Sequence, residues 1–355
     1  MLRGLVMMLM VVDHARNMYF GFSPNPMNLE ETWGALYITR WITHLCAPVF
    51  VFLAGTSAFF YGRKRDTKDL RRFLLTRGLW LIFLEITLVR IAWTFNLSTW
   101  LGMQVIWALG ASMVLLGIAA PLGPKKILGL GLGIIFLHNG LSMLPIESTL
   151  WNVLMSRGKW QLGGLTFTHY YALIPWFGVM AAGFGFGFLY SSFDRQGQEK
   201  LCYGTGGAMV GLFILLRGLH LYGDPNLWIS DAGWATGVMS FFKVAKYPPS
   251  LHFVLITLGL TIGTLPLYKY LSKNKIGWLL LTYGRVPLFF YIAHLFLLRL
   301  GVTLINPAEP HKFGIGFSLP AAWGVAVVCL IVLTPMSYYY GRYKRNHQHW
   351  WLSYL

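Results

Sequence analysis

Long apolar runs dominate the chain, and short polar runs separate them. A helix needs about 20 predominantly apolar residues to cross a membrane, and ten runs approach that length. This pattern predicts an all-α, polytopic membrane helix bundle with about ten transmembrane helices. The predicted spans are 3–21, 39–61, 74–95, 100–120, 127–145, 170–190, 202–221, 249–271, 277–300 and 319–340.

The composition supports an integral membrane protein and excludes a soluble one. Of the 355 residues, 56% are hydrophobic and only 12% are charged, which is far too little charge to cover a soluble surface of this size. The whole chain, 1–355, is therefore interpreted as one transmembrane domain. The three cysteines fall inside hydrophobic segments without metal-ligand spacing, so we predict no metal site and no disulfide framework.

The formal net charge of +17 is explained by topology. When the first end of the ten-span model is placed inside, the inner segments hold 18 basic residues and the outer loops hold five. Cytoplasmic loops carry such an excess of lysine and arginine, so both termini are predicted to be cytoplasmic. A nucleic-acid partner, which a strongly basic chain can also suggest, is not predicted.

The first predicted span carries three ionisable side chains in the stretch VVDHARN at 11–17. Charges at membrane depth cost about 2.5–3.5 kcal/mol each, so such groups usually pair, face a cavity or take part in chemistry. Asp13 and Arg16 share a helix face, whereas His14 projects about 100° away. Two interpretations stay open here: a structural ion pair of Asp13 with Arg16, and a functional cluster that includes His14.

Further polar groups occur in the second and third predicted spans. In TRWITHLCAP, Arg40 and His44 share one helix face near the outer mouth, and His44 is a second candidate for a functional histidine. Glu85 lies in the third span, and its separation from Arg90 is poor for a same-helix pair. We expect Glu85 to be a structural counter-ion for an arginine of another span, such as Arg16 or Arg40.

Other candidates come from later segments. Gln104 is a candidate hydrogen-bond donor to a substrate, and Lys246 lies in the outer segment KVAKYPPSLHF. In YGRVPLFFYIAHLFLLR, a mid-membrane Arg285 is a candidate partner for a phosphate or carbonyl group. Pro287 could bend that span, and Tyr291 and His294 follow it on one stripe.

Several of these stretches occur in the same order in a family of known enzymes. The motifs RGLVMMLMVVDHARN, TRWITHLCAPVFVFLAGTSAFF, QVIWALGASMVLL, YALIPWFGVMAAG, LYGDP, KYPPSLHFVLITLG and GRVPLFFYIAHLFLLR resemble a bacterial branch of membrane proteins similar to heparan-α-glucosaminide N-acetyltransferase. The resemblance runs from the first span to about residue 300. It implies a location in the bacterial inner membrane, and it leaves open whether the protein forms a homodimer.

The resemblance also implies a chemistry. Such enzymes move an acetyl group from cytoplasmic acetyl-CoA to a sugar amine or hydroxyl across the membrane. The lysosomal enzyme uses a histidine in the loop after its first core helix, but the corresponding loop here, MYFGFSPNPMNLEETWGALY, has no histidine. His14 and His44, on either side of that loop, are then the nearest candidates for the base.

The expected mechanism is direct acetyl transfer. An imidazole suits removal of the acceptor proton, so we assign His14 or His44 as base and Asp13 as the group that orients it. Arg16, Arg40 and Arg285 would stabilise charge. The rival interpretation is a proton-coupled transporter or flippase of an anionic or sugar-containing substrate, because buried Asp, His and Glu can relay protons.

Overall fold

The computed structural model describes residues 1–96, 100–229, 233–349 and 352. The chain is mostly helical, as the apolar runs predict. Over these residues the α-helices, labelled in chain order, are α1 Leu2–Ala15, α2 Gly34–Thr43, α3 Cys46–Gly62, α4 Thr67–Leu84, α5 Arg90–Thr94, α6 Val105–Ala119, α7 Gly123–Leu141, α8 Thr149–Met155, α9 Leu173–Ser191, α10 Arg195–Gly218, α11 Trp234–Phe242, α12 Leu251–Thr264, α13 Tyr268–Leu271, α14 Lys275–Gly284, α15 Pro287–Ile305 and α16 Leu319–Asn346.

Seven helical stretches in the described residues are long and apolar enough to cross a membrane. The chain is therefore a multi-pass membrane protein, while the number of ten spans and the side on which the termini lie remain predictions. The seven stretches are Gly34–Gly62, Val105–Leu141, Leu173–Ser191, Arg195–Gly218, Leu251–Leu271, Pro287–Ile305 and Leu319–Asn346.

A small sheet corrects the all-α prediction. Its strands are β1 Trp100–Met103, β2 Gly158–Leu162 and β3 Leu165–His169. The order is β1-β3-β2, with β1 parallel and β2 antiparallel to β3. Strand β1 occupies the start of the predicted span 100–120, so the helix there begins only at Val105. Glycines 163 and 164 both have positive φ, as a tight hairpin between β2 and β3 requires.

The chain divides into two compact units, although the sequence pattern was interpreted as one domain. The first unit comprises Met1–Cys46, Thr87–Leu97 and Leu267–Leu355. In it, α1 packs against α2, α14, α15 and α16. The backbones of α1 and α14 meet closely at Gly4, where an added Cβ would lie 1.9 Å from the carbonyl oxygen of Leu280.

The second unit comprises Ala47–Ile86 and Ser98–Pro266. Its pairs α7 with α9, α10 with α12, and α4 with α6 pack side by side. Glycine lets α3 and α9 approach: a Cβ on Gly183 would lie 2.1 Å from the carbonyl oxygen of Phe52, and one on Gly55 would lie 2.0 Å from that of Met180. Gly183 and Gly55 therefore permit close packing of the two helices, as small residues do in membrane helix bundles.

Two predicted spans are not continuous helices. Span 39–61 breaks after Thr43, where His44 caps α2 and α3 begins at Cys46. Span 277–300 breaks between α14 and α15. Proline explains the second break, because Pro287 has no backbone N–H and disfavours the helical conformation of Val286 before it.

Candidate functional site

The first helix ends in a widened turn. After Ala15 the backbone continues as a π-helical turn, Arg16–Phe20, so the predicted span 3–21 is helical nearly throughout. Such turns leave backbone groups that a regular α-helix would satisfy, and they often occur at functional sites. Here Gly314 and Phe317 donate their N–H groups to the carbonyls of Met18 and Tyr19.

Asp13 holds two arginines. One carboxylate oxygen lies 3.3 Å from Nη2 of Arg16 on the same helix, and the other lies 2.7 Å from Nη1 of Arg40 on α2. Arg16 also donates to Asn17 and to the carbonyl of Gly21. All these side chains are buried or nearly so. The ion pair that the spacing of Asp13 and Arg16 predicts is therefore formed, and Arg40 extends it to a triad with a formal charge of +1.

His14 meets a histidine from a distant part of the chain. Its Nδ1 lies 2.7 Å from Nε2 of His294 on α15. The two rings are within 15° of parallel, and their centroids are 4.9 Å apart. That separation is the N–N distance plus one ring radius on each side, so the rings meet edge to edge and the hydrogen bond lies in their planes.

The second nitrogen of His294 fixes the direction of this hydrogen bond. Nδ1 of His294 lies 3.0 Å from the carbonyl oxygen of Phe290. A carbonyl only accepts, so this nitrogen carries the proton. The Nε2 of a neutral His294 must then accept, and Nδ1 of His14 donates to it. A neutral His14 consequently carries its basic lone pair on Nε2.

His14 contacts His294, whereas Asp13, the residue predicted to orient His14, pairs with two arginines. Both carboxylate oxygens of Asp13 are engaged by arginines, and Nδ1 of His14 is engaged by His294. His294 was predicted to bind substrate or cofactor, a role in which it would have to be accessible. It is completely buried, whereas His14 is only partly so.

Aromatic rings surround His14. Trp93 on α5 meets it edge to face with centroids 4.7 Å apart, and Tyr291 on α15 does the same at 6.3 Å. Tyr291, predicted as a binding residue, thus lies beside the histidine pair. Trp93 was missed by sequence reasoning, and its buried indole N–H has no hydrogen-bond partner among the described residues.

Arg299 is a second residue that sequence reasoning missed. It is completely buried on α15. Its Nη1 donates to the carbonyls of Pro310 and Lys312, 3.1 and 2.8 Å away, and its guanidinium lies 4.5 Å from the ring centroid of Phe313. Among the described residues no carboxylate pairs with Arg299, and its Nε and Nη2 have no hydrogen-bond partner. A buried arginine in a predicted span was the signal that could have identified it.

Arg299 and the histidines share neighbours. Phe313, which covers the guanidinium, also packs against Trp93 with centroids 6.1 Å apart, and Trp93 contacts His14. The loop 306–318 therefore lies over the end of α15 and over the π-helical turn. Together these groups form the centre that we call the histidine site: His14, His294, Trp93, Tyr291 and Arg299.

His44 is buried at the break between α2 and α3. Its backbone N–H donates to the carbonyl of Trp41, as at a helix end. Arg40 lies one turn earlier, on α2, so the helix that His44 caps also supplies an arginine to the Asp13 triad. The structure thus keeps both candidate histidines in the first unit, and it gives a histidine partner to His14.

Glu85 has a different partner from the predicted one. Its Oε2 accepts a hydrogen bond of 2.8 Å from the backbone N–H of Trp107. Trp107 lies in the first turn of α6, where N–H groups have no partner within the helix. Glu85 is completely buried beneath this turn and favoured by the positive end of the helix dipole. It caps a helix, so the prediction of an arginine counter-ion is wrong.

Gln104 and Lys246 also belong to the second unit. Gln104 immediately precedes α6 and makes no side-chain cap for it. Lys246 lies in the turn before α12, where its ammonium group is 5.1 Å from the ring centroid of Tyr247. Neither position tests the predicted binding role.

Arg285 does not lie inside one continuous helix, as was predicted. It was predicted at mid-membrane depth inside one long span, but it caps the C-terminus of α14 and its side chain is exposed. The break before Pro287 is the reason, because it ends the helix at this point. The predicted role of Arg285 as a charge stabiliser beside the histidines therefore has no support in its position.

Comparison with known proteins identifies the family. The family model "Heparan-alpha-glucosaminide N-acetyltransferase, catalytic" matches residues 1–218, more than half of the 355 residues. The matched region includes Asp13, His14 and Arg40 and ends before α15. No curated protein matches the chain. The resemblance to heparan-alpha-glucosaminide N-acetyltransferase is confirmed over residues 1–218, and the chain belongs to this family of transmembrane acetyltransferases.

Proposed function

We propose that this protein transfers an acetyl group from acetyl-CoA to the amine or hydroxyl of a sugar or glycan, with His14 as the general base. The observation that carries the proposal is the in-plane hydrogen bond between Nδ1 of His14 and Nε2 of His294. With Phe290 it sets the tautomer of both rings, and it leaves the basic nitrogen of His14 on the opposite edge.

The proposed step needs one base. The acceptor nitrogen or oxygen attacks the thioester carbonyl carbon and forms the new C–N or C–O bond, while Nε2 of His14 takes the acceptor proton. The C–S bond then breaks, and the thiolate of CoA leaves and is protonated by the imidazolium. His294 does not touch the reacting atoms. It holds the ring of His14 in place, in the manner of the third group of a catalytic triad.

Charge near the base favours the transition state. The triad of Asp13, Arg16 and Arg40 has a formal charge of +1, and Arg299 adds a buried positive charge without an acidic partner among the described residues. Fixed positive charge in a site that excludes water stabilises a developing oxyanion. The unpartnered indole N–H of Trp93 beside His14 is a further donor for such an oxygen.

We extend the proposal to the whole chain as one acyltransferase domain in a bacterial inner membrane. The 18 to five distribution of basic residues supports cytoplasmic termini, so acetyl-CoA would be taken from the cytoplasm and the acceptor would be on the outer side. Gln104 and Lys246 stay candidate binding residues in the second unit, and the oligomeric state is open between monomer and homodimer.

Reconstitution tests this function against transport. Purified protein in sealed proteoliposomes receives acetyl-CoA labelled in the acetyl group on one side, and a panel of amino sugars on the other. We expect labelled acetyl sugar on the acceptor side and free CoA on the donor side. Uptake of sugar without CoA, together with no thioester cleavage, would contradict acetyl transfer and support a transporter.

A further inference from the structure

The first unit holds a second group of polar residues, between α14 and α16. A small cavity of about 30 Å³ lies between these helices. Residues of both helices line it, and on each helix most of them are three or four positions apart and lie on one side of the helix. They are Trp278, Thr282 and Arg285 on the side of α14, and Ser337, Tyr338, Gly341 and Arg345 on α16.

The two arginines at this cavity have no acidic neighbour. Neither Arg285 nor Arg345 forms an ion pair or hydrogen bond within the described part of the chain. The sequence explains why: between residues 267 and 355 there is one acidic residue, Glu309, and it pairs with Lys312 in the loop after α15. The cavity is thus lined by two guanidinium groups whose positive charge is not neutralised locally.

More positive charge lies close by. Arg3 on α1 lies beside the end of α14, because a Cβ added to Gly284 would be 3.8 Å from the Cβ of Arg3. Mutual repulsion of neighbouring cations is relieved when an anion binds among them.

A buried hydroxyl points to a ligand. Ser337 is only 1% exposed, and its Oγ has no hydrogen-bond partner among the described residues. Buried hydroxyls are normally satisfied, and this one lines the cavity beside Arg345. Gly341 keeps the space open, since the nearest atoms to an added Cβ would be Val286 Cγ1 at 3.5 Å and Arg345 Nη1 at 3.9 Å.

We propose that this cavity is a binding site for a phosphate ester, held by Arg285 and Arg345 with Ser337 as an additional donor. Guanidinium groups bind phosphate oxygens in a paired geometry. The cavity admits phosphate oxygens, and the rest of the ligand stays at its mouth beside Trp278 and Tyr338, aromatic residues of the type found at membrane interfaces. The phosphate belongs either to an anionic phospholipid or to CoA, and experiment separates these sources.

The test uses the full-length protein in detergent and two probes. Native mass spectrometry measures binding of phosphatidylglycerol, with phosphatidylcholine as the neutral reference, and equilibrium dialysis measures binding of CoA. The variant R285Q/R345Q removes both guanidinium groups. The control K273Q/K275Q removes the same charge from exposed lysines of the same segment, and Gly341→Leu fills the cavity without changing charge.

We expect R285Q/R345Q and Gly341→Leu to weaken one probe by about tenfold, while the control binds both probes as the wild type does. Loss of phosphatidylglycerol alone assigns the site to a lipid headgroup, and loss of CoA alone assigns it to the acetyl donor. Unchanged binding of both probes in R285Q/R345Q, or equal loss in the lysine control, would overturn the proposal. Neither binding measurement depends on acetyl transfer, so the experiment tests the phosphate site separately from the proposed function.

Discussion

At the scale of the residue, the histidine pair determines which nitrogen can act as a base. His14 and His294 are 280 positions apart in the chain. The sequence identified both as candidates, because ionisable residues in a span are costly. It could not pair them, because the packing of α1 against α15 brings them together and helical spacing within one span says nothing about that contact.

The first prediction concerns His294. We expect His294→Gln to lower kcat about 10²-fold, because a displaced or rotated His14 ring no longer aims Nε2 at the acceptor. A merely structural role would lower the amount of folded protein instead. The measurement is kcat in purified protein, with the melting temperature recorded in parallel. Unchanged kcat in a folded variant would contradict the positioning role.

A positioning residue and the base it positions should also be non-additive. The double variant His14→Gln with His294→Gln should be no slower than His14→Gln alone, since His294 acts only through His14. If the rate reductions of the two single variants instead multiply in the double variant, His294 contributes to catalysis by another route.

Arg299 leads to the second prediction. Arg299→Gln removes a charged clamp on the carbonyls of Pro310 and Lys312, an interaction of about 1.5–3 kcal/mol per charged hydrogen bond. The substitution also removes a buried positive charge, whose burial is unfavourable. This gain offsets part of the lost hydrogen-bond energy, so overall stability should change little while the loop 306–318 becomes more mobile. Faster tryptic cleavage after Lys312 is the expected result.

The control for that measurement is Arg195→Gln, because the side chain of Arg195 is 81% exposed in its pair with Glu199 and such pairs contribute about 0–1 kcal/mol. It should leave cleavage at the loop unchanged. Equal cleavage rates in wild type and Arg299→Gln would show that Arg299 does not fasten this loop.

At the scale of the element, proline and glycine explain where the predicted helices are right and where they are wrong. The apolar run 277–300 reads as one span, but Pro287 divides it and exposes Arg285. Strand β1 was not predicted because WLGM is as compatible with a buried helix as with a strand. Its partner strand β3 lies 66 residues away, since Trp100 pairs with Thr166, and no local sequence pattern contains that pairing.

The third prediction tests the contact between α1 and α14. An alanine at position 4 would place its Cβ 1.9 Å from the carbonyl oxygen of Leu280, so the helices must separate. Overpacking of this kind costs about 1–3 kcal/mol, and Gly4→Ala should lower the melting temperature. Gly324→Ala in α16 is the matched control, because nothing lies within 4 Å of its added Cβ and alanine favours a helix. Equal melting temperatures would contradict the close approach.

At the scale of the whole molecule, the distribution of charge predicts orientation. The fourth prediction uses single cysteines in a membrane-impermeant maleimide assay on intact cells and on inverted vesicles. The native cysteines Cys46, Cys202 and Cys329 are all buried, so background labelling should be low. Cysteines at positions 64 and 273 should react only in inverted vesicles, and one at position 312 only in intact cells, because basic loops stay inside. The reverse pattern would contradict cytoplasmic termini.

Composition and charge predicted the class of the whole molecule, and the family was predicted from motifs spread to about residue 300, of which the family model matches the part in residues 1–218. Part of the arrangement was predicted. The spacing of Asp13 and Arg16 placed them on one helix face, and Arg40 was a candidate in the next predicted span. Arg299 and Trp93 were missed because their significance depends on what they contact. Glu85 was misassigned because the N-terminus of a helix can stabilise a buried carboxylate just as an arginine can.

His14 is the proposed base of acetyl transfer, and single-turnover kinetics test this assignment against His44. Single-turnover transfer of labelled acetyl from acetyl-CoA is compared in the wild type, His14→Gln and the rival His44→Gln, each shown to be folded by its melting temperature. The account predicts a rate reduced about 10²- to 10⁴-fold in His14→Gln and near the wild-type rate in His44→Gln. Full transfer by folded His14→Gln, with loss in His44→Gln, would contradict it.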